Sequence, residues 1–178
     1  YYLQGGNDTI TGVSEPRGKW GDLKGRPDVD IVYLGAGDDL ATGFNSYDTI
    51  YAGRGDDVVT VSTYWPAMSL RPYTTKRSKA YGEEGHDELS GAWLLDGGAG
   101  NDTLTSYGGR VDGGPGHDVY RITGAVERII DREGRSVIDI DFSADDYLID
   151  RDPVELIVTG DRKDVITLKG TAPTVRSG

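Results

Sequence analysis

The sequence predicts an all-β chain in which short strands stack coil upon coil, and three observations predict it. Glycine supplies 27 of 178 residues, about twice its usual share of roughly 7%. Aspartate recurs every nine residues through Asp39, Asp48 and Asp57. Each of these aspartates closes a turn and is followed by a triplet with an apolar residue at its centre. Such an alternating triplet is a strand fragment, and glycine at every other position of the turns excludes helix.

In a nine-residue frame the chain reads "LQGGNDTIT" (3–11), then "GRPDVDIVY" (25–33), "LGAGDDLAT" (34–42), "GFNSYDTIY" (43–51) and "AGRGDDVVT" (52–60) in unbroken tandem. "GEEGHDELS" (82–90), "GGAGNDTLT" (97–105) and "GGPGHDVYR" (113–121) follow. The consensus is G-G-x-G-x-D-x-U-x, with U occupied by Ile10, Val32, Ala41, Ile50, Val59, Leu89, Leu104 and Tyr120. The turn glycines permit positive φ where side chains would clash. A three-residue strand cannot stand alone, but stacked strands pair along the coil and their U residues fill a narrow interior.

Neighbouring strands lie about 4.8 Å apart, so aspartates on one edge of the stack come within about 5 Å of one another. Two carboxylates at that separation repel by roughly 3 kcal/mol at an effective dielectric of 20. A column of them needs counter-ions. Ca²⁺ accepts six to eight oxygens, carbonyls included, whereas Mg²⁺ resists dehydration and demands an octahedron. The aspartates Asp8, Asp30, Asp39, Asp48, Asp57, Asp87, Asp102 and Asp118 therefore read as a ladder of half-sites for calcium.

These nonapeptides resemble the RTX family of hemolysin-type calcium-binding repeats. The resemblance covers roughly residues 3–121. It implies a right-handed parallel β-roll (a β-helix or solenoid) in which two nonapeptides make one coil and turns alternate between two edges. It also implies that calcium sits between turns stacked on one edge. The ligands would be the repeat's aspartates and carbonyl oxygens of turn glycines, here Gly35, Gly37, Gly53, Gly55, Gly98, Gly100, Gly114 and Gly116.

Same-edge turns should recur every eighteen residues, as Asp39 and Asp57 do, and Asp30 and Asp48. Asp57 to Asp87 is 30, an excess that matches the irregular stretch around 62–79; Asp87 to Asp102 is 15 and Asp102 to Asp118 is 16, which implies trimmed opposite turns near "SGA" (90–92) and "SYGG" (106–109). One long edge then carries Asp39, Asp57, Asp87, Asp102 and Asp118. Asp8, 22 residues before Asp30, is expected with Asp30 and Asp48 on the other edge, after a small bulge in "GVSEPRGKWG". Roughly six Ca²⁺ ions would bring about +12 against the formal −11, fitting a domain that changes state on binding. Asp22, Asp28, Asp38 and Asp56 read as turn-stabilising or solvated. His86 and His117 occupy the variable fifth position, where Asn and Asp also occur, and read as turn residues rather than zinc ligands.

The frame divides the chain into a repeat domain at 1–123, with an irregular insertion at 62–79, and a β-rich flank at 124–178. The insertion sets Tyr64, Trp65 and Tyr73 beside Arg71, Lys76, Arg77 and Lys79, a composition suited to a flap over the roll or to a polysaccharide or protein partner. Strand-like runs in the flank are 127–130, 137–142, 147–149, 155–159 and 165–169. Their expected task is to cover the last coil, because open edges aggregate and terminal repeats need caps. "TAPTVRSG" is expected to be a loose tail.

With 30 acidic and 19 basic residues, the chain is a poor partner for nucleic acid, whose phosphates demand Lys and Arg. No window approaches the roughly 20 apolar residues of a membrane span, and no signal peptide opens the chain. It starts in mid-pattern, as a piece of something larger would. There is no cysteine, so metal rather than disulfide is the expected staple. Two histidines, no G-x-S-x-G and no H-E-x-x-H argue against an enzyme. The resemblance implies a secreted or cell-surface bacterial protein, exported by type I machinery and folding on extracellular calcium as part of a toxin, protease, lipase or adhesin. A carbohydrate-binding module and a surface-layer or adhesin segment are the alternative roles.

Overall fold

The computed structural model describes residues 1–12, 29–44, 48–61, 78–123, 126–131, 134, 136–141, 155–158, 165–169 and 176–177. Residues 62–77 of the insertion at 62–79, the segment at 13–28 with Asp22 and Asp28, and the strand expected at 147–149 lie outside these residues. The fold is a parallel β-solenoid. Its strands are β1 (Thr9–Thr11), β2 (Ile31–Ala36), β3 (Leu40–Phe44), β4 (Thr49–Arg54), β5 (Val58–Val61), β6 (Lys79–Glu84), β7 (Glu88–Ser90) and β8 (Leu94–Asp96), followed by β9 (Thr103–Ser106), β10 (Gly109–Asp112), β11 (Val119–Thr123), β12 (Val126–Asp131), β13 (Val137–Asp141), β14 (Glu155–Val158), β15 (Val165–Lys169) and β16 (Arg176–Ser177).

Strands alternate between two sheets. Odd-numbered strands run β1-β3-β5-β7-β9-β11-β13-β15, and even-numbered strands run β16-β14-β12-β10-β8-β6-β4-β2. The cause is local: a triplet makes one strand, a glycine turn reverses the chain, and the next triplet can pair only with the coil below. Inward-facing residues fill the space between the sheets. Ala41, Val59, Leu89, Leu104, Tyr120 and Ile138 come from one side, and Val32, Ile50, Ala80, Leu95, Val111 and Ile129 from the other, all with at most 1% exposure. Each larger side chain contributes about 1.5–3 kcal/mol by leaving water. Ile10, the other U residue of the frame, is half-buried against this core.

Asp8 does not stand with Asp30 and Asp48, as its spacing predicts. β1 pairs with β3, and the Asp8 N–H donates to Asp39 Oδ1 at 2.7 Å, so Asp8 begins the long edge. Counting residues fixes position only modulo nine. A step of 22 is one half-coil plus thirteen residues as readily as one full coil plus four, and the pairing of β1 with β3 selects the former.

The stacking also continues where the nonapeptide pattern ends. β11 pairs with β13, β13 with β15, β10 with β12 and β12 with β14, all parallel. Residues 176–177 of the expected loose tail pair with β14. A strand needs an inward apolar residue in register, not a preceding G-G-x-G.

On the outer face of the even-numbered sheet, Tyr2, Tyr33, Tyr51 and Tyr81 stack with ring centroids 4.6, 4.8 and 4.9 Å apart. Tyr33 and Tyr51 are 18 residues apart, and Tyr51 and Tyr81 are 30. These steps match the aspartate steps, so the ladder was written in the sequence.

Glu83 departs from the pattern. It pairs in register with Gly53 and holds φ +76°, where Gly53 holds +118° and Gly98 +92°. A left-handed conformation costs a residue with a Cβ about 1–2 kcal/mol, and the unfolded-state entropy of glycine offsets about half of that. Glu83→Gly is therefore expected to stabilise the calcium-loaded chain by about 0.5–1 kcal/mol in urea denaturation. Gly98→Ala, whose Cβ would overlap the Glu83 carbonyl, is expected to destabilise it; equal stability of the two variants would refute this account.

Candidate metal centre

The sixth residue of each repeat immediately precedes a strand, two residues before the inward-facing U position. Side chains alternate along a strand, so the aspartate points inward with its U residue: Asp39 with Ala41, Asp57 with Val59, Asp87 with Leu89, Asp102 with Leu104 and Asp118 with Tyr120. All five carboxylates are buried, at 1–2% exposure. They form the long edge predicted from spacing, with Asp8 added below.

One oxygen of each carboxylate has a partner. The Asp39 N–H donates to Asp57 Oδ1 at 2.7 Å, that of Asp57 to Asp87 Oδ1 at 2.9 Å, that of Asp87 to Asp102 Oδ1 at 2.9 Å and that of Asp102 to Asp118 Oδ1 at 3.0 Å. The Asp118 N–H donates to Ser136 Oγ at 3.0 Å. On the opposite edge the Asp30 N–H donates to Asp48 Oδ1 at 2.9 Å. Asp30 is half-buried and Asp48 buried. Ser78, also buried, precedes β6 as Asp48 precedes β4.

The second oxygen is different. Oδ2 of Asp39, Asp57, Asp87, Asp102 and Asp118 is buried without a hydrogen-bond partner. A Cβ built on Gly82 would strike both Asp87 Oδ2 and the Gly97 carbonyl oxygen of the next coil; one built on Gly97 would strike Asp102 Oδ2 and the Gly113 carbonyl oxygen. Each of these two hollows thus brings together a carboxyl oxygen and a carbonyl oxygen, neither of which can donate a proton once the carboxyl is ionised. An orphaned buried charge costs several kcal/mol, and a cation is the natural complement. The donor set is all oxygen, as calcium requires. Among the described residues no three acidic or imidazole side chains gather into one group, so backbone oxygens must complete the coordination shell. The glycines Gly35, Gly37, Gly53, Gly55, Gly98, Gly100, Gly114 and Gly116 all hold positive φ. The Gly37 carbonyl lies against Gly55, and the Gly100 carbonyl against Gly116, so turn carbonyls stack in columns beside the carboxylates.

A second ladder runs outside the first. The Asp38 N–H donates to Asn7 Oδ1, that of Asp56 to Asp38 Oδ1, that of His86 to Asp56 Oδ1, that of Asn101 to His86 Nδ1 and that of His117 to Asn101 Oδ1, at 2.8–3.0 Å. Asp38, Asp56, His86 and His117 are accordingly turn residues, as their variable position predicts. Sequence reading missed Asp131, Ser136 and Ser78. Ser136 lies 18 residues after Asp118 and two after a glycine in fourth position, a signal obscured because the sixth residue is no longer Asp.

Burial pushes the Asp57 carboxyl up to about 6, with the carboxylates of Asp39, Asp38 and Asp56 adding to the shift and the Asp39 N–H opposing it. Burial likewise raises Asp87 and Asp118 to about 7, and raises Asp102. The ordinary aspartate value is about 3.9. Between that value and the raised one the folded chain holds more protons than the unfolded chain, so stability without metal falls as pH rises. It should be fully present below about pH 4 and lost through about pH 6–7. Calcium needs the charged form and reverses the trend. Thermal melts in EGTA should therefore show a higher midpoint at pH 5 than at pH 8, and melts in saturating calcium the opposite. A metal-free midpoint that rises with pH would contradict the assignment of these buried groups.

Comparison with known proteins supports the same reading. The family model for the RTX calcium-binding nonapeptide repeat matches residues 24–59 and 94–120, in four copies. No curated protein and no solved structure matches the chain. Within those residues the chain carries RTX calcium-binding nonapeptide repeats, and the repeats stack as a parallel β-solenoid.

Proposed function

We propose that this chain is a folding module of a larger secreted protein, kept loose at low calcium during type I export and folded by extracellular calcium into a rod that stabilises its neighbours. The observation that carries this reading is the column of five buried Oδ2 atoms without partners. A solenoid whose interior edge holds uncompensated carboxylates resists closing until cations arrive, so metal binding supplies folding free energy. The acidic surface, with a formal charge of −11, adds self-repulsion in the metal-free chain. Among the described residues no helix is long and apolar enough to cross a membrane. The aspartates and glycines of the two edges would hold the ions, and the module's role is structural rather than catalytic.

Calcium titration at pH 8 followed by far-ultraviolet circular dichroism tests the proposal: the β signal should grow with calcium and fall on EGTA addition, since the metal-free fold is weakest at that pH. A flat titration would end it. Within the ladder each aspartate serves two coils, Oδ1 accepting from the coil below and Oδ2 facing its own hollow. Asp57→Ala or Asp102→Ala should therefore weaken two neighbouring sites and raise the calcium midpoint of folding by about tenfold, equal to ~1.4 kcal/mol. Asp8→Ala, at the end of the described column, should shift the midpoint less. Equal shifts for Asp8 and Asp102 would show that the carboxylates do not act as shared rungs.

A further inference from the structure

The outer face of the even-numbered sheet carries a continuous column of phenols. Tyr2 bridges to Tyr33, Tyr33 pairs in register with Tyr51, and Tyr51 with Tyr81. Strand spacing of about 4.8 Å therefore sets ring upon ring, with centroids 4.6, 4.8 and 4.9 Å apart and planes within 4–7° of parallel. Tyr2 is 78% exposed, and the other three are half-buried. The column ends at Asp96, in register with Tyr81 on the next coil. Tyr1, Tyr107 and Tyr120, the other described tyrosines, stand outside it.

The spacing suits a particular chemistry. A bond between the ortho (Cε) carbons of two phenols holds their rings edge to edge, with the centroids two ring radii and one carbon–carbon bond apart. That sum is slightly less than the separations in the column. Aromatic χ2 torsions are broad, so rotation about Cβ–Cγ turns a face-to-face pair into an edge-to-edge one without moving the strands. The ordinary phenol value is about 10, and burial, the Tyr51 phenol and the Asp96 carboxylate raise Tyr81 further. Neighbouring rings are therefore neutral at physiological pH and meet without charge repulsion.

We propose that the tyrosine column is an oxidative cross-linking site, at which a peroxide-driven one-electron oxidant joins the phenols of adjacent coils. Each of two neighbouring phenols gives one electron to the oxidant and its hydroxyl proton to water. The two phenoxyl radicals couple Cε to Cε. The hydrogens on those carbons then leave as protons while the oxygens regain protons from water, restoring two phenols. The pair loses two hydrogens in all, and one hydrogen peroxide takes them up to become two waters. The chain has no cysteine, so this bond is a covalent staple of a kind that disulfides cannot supply here. It closes a loop between residues 18 apart at Tyr33–Tyr51 or 30 apart at Tyr51–Tyr81, and restricts the unfolded chain as a disulfide does. The site requires stacked coils, whatever ion holds them.

The test oxidises a dilute solution of the calcium-loaded chain with peroxidase and hydrogen peroxide, and reads dityrosine fluorescence, chain mass and the joined peptides. The expected product is a single chain lighter by two hydrogens per link, with Tyr2–Tyr33, Tyr33–Tyr51 or Tyr51–Tyr81 joined. Fluorescence should fall at least several-fold when the oxidation is run in urea. Tyr51→Phe keeps a ring in the column but leaves Tyr81 without a neighbouring phenol, so it should retain only the Tyr2–Tyr33 link. Tyr107→Phe, outside the column, should match the unaltered chain. Transferred to EGTA at pH 8, the linked chain should keep more of its β signal than the unlinked one. Links only between chains, links confined to tyrosines outside the column, or equal yield in urea overturns the site. Equal loss of β signal in EGTA overturns its role as a staple.

Discussion

A buried carboxylate has two oxygens, and in this solenoid the backbone can satisfy only one. The coil pitch presents a single N–H from the turn below, which is taken by Oδ1, as from Asp39 to Asp57 and from Asp87 to Asp102. Oδ2 is left without a partner, and beside Asp87 and Asp102 a carbonyl oxygen of the next coil shares its hollow. Glycine is required beside it because a side chain would fill the hollow. Acidity is required because the rung must attract a cation, and the chain's net charge follows from repeating that rung.

The two ladders divide the work, and their residue types show how. The fifth position needs only an acceptor for the next N–H, and Asn7, Asp38, Asp56, His86 and Asn101 all serve. The sixth position needs an acceptor and a second negative oxygen pointing inward. It is Asp in every turn of the long edge from Asp8 to Asp118. Ser136 supplies the acceptor without the charge, and there the carboxylate reappears as Asp131 on the other side of the turn.

Much of this was legible in the residues. The steps of 18, 30, 15 and 16 placed Asp39, Asp57, Asp87, Asp102 and Asp118 on one edge, and the U positions named the core from Val32 to Tyr120. Asp8 was misplaced because a nine-residue period cannot say which half-coil contains an insertion. The C-terminal coils were hidden for a different reason. Their turns lack the glycine signature, while β13 and β15 need only an inward residue such as Ile138 to extend the sheet. Asp131 escaped because the motif assigns no role to a side chain at its first position.

The tyrosine column has a geometric consequence. Adjacent strands in an open sheet ordinarily rotate by about 20–25° relative to one another, and flat sheets persist where side-chain ladders hold them. The rings of Tyr2, Tyr33, Tyr51 and Tyr81 stay parallel to within 4–7°, so this face is nearly untwisted. Over the coils that the column spans, a straight stack keeps one turn in the same relation to the next, and a binding geometry that works at one level there works at the following one without redesign.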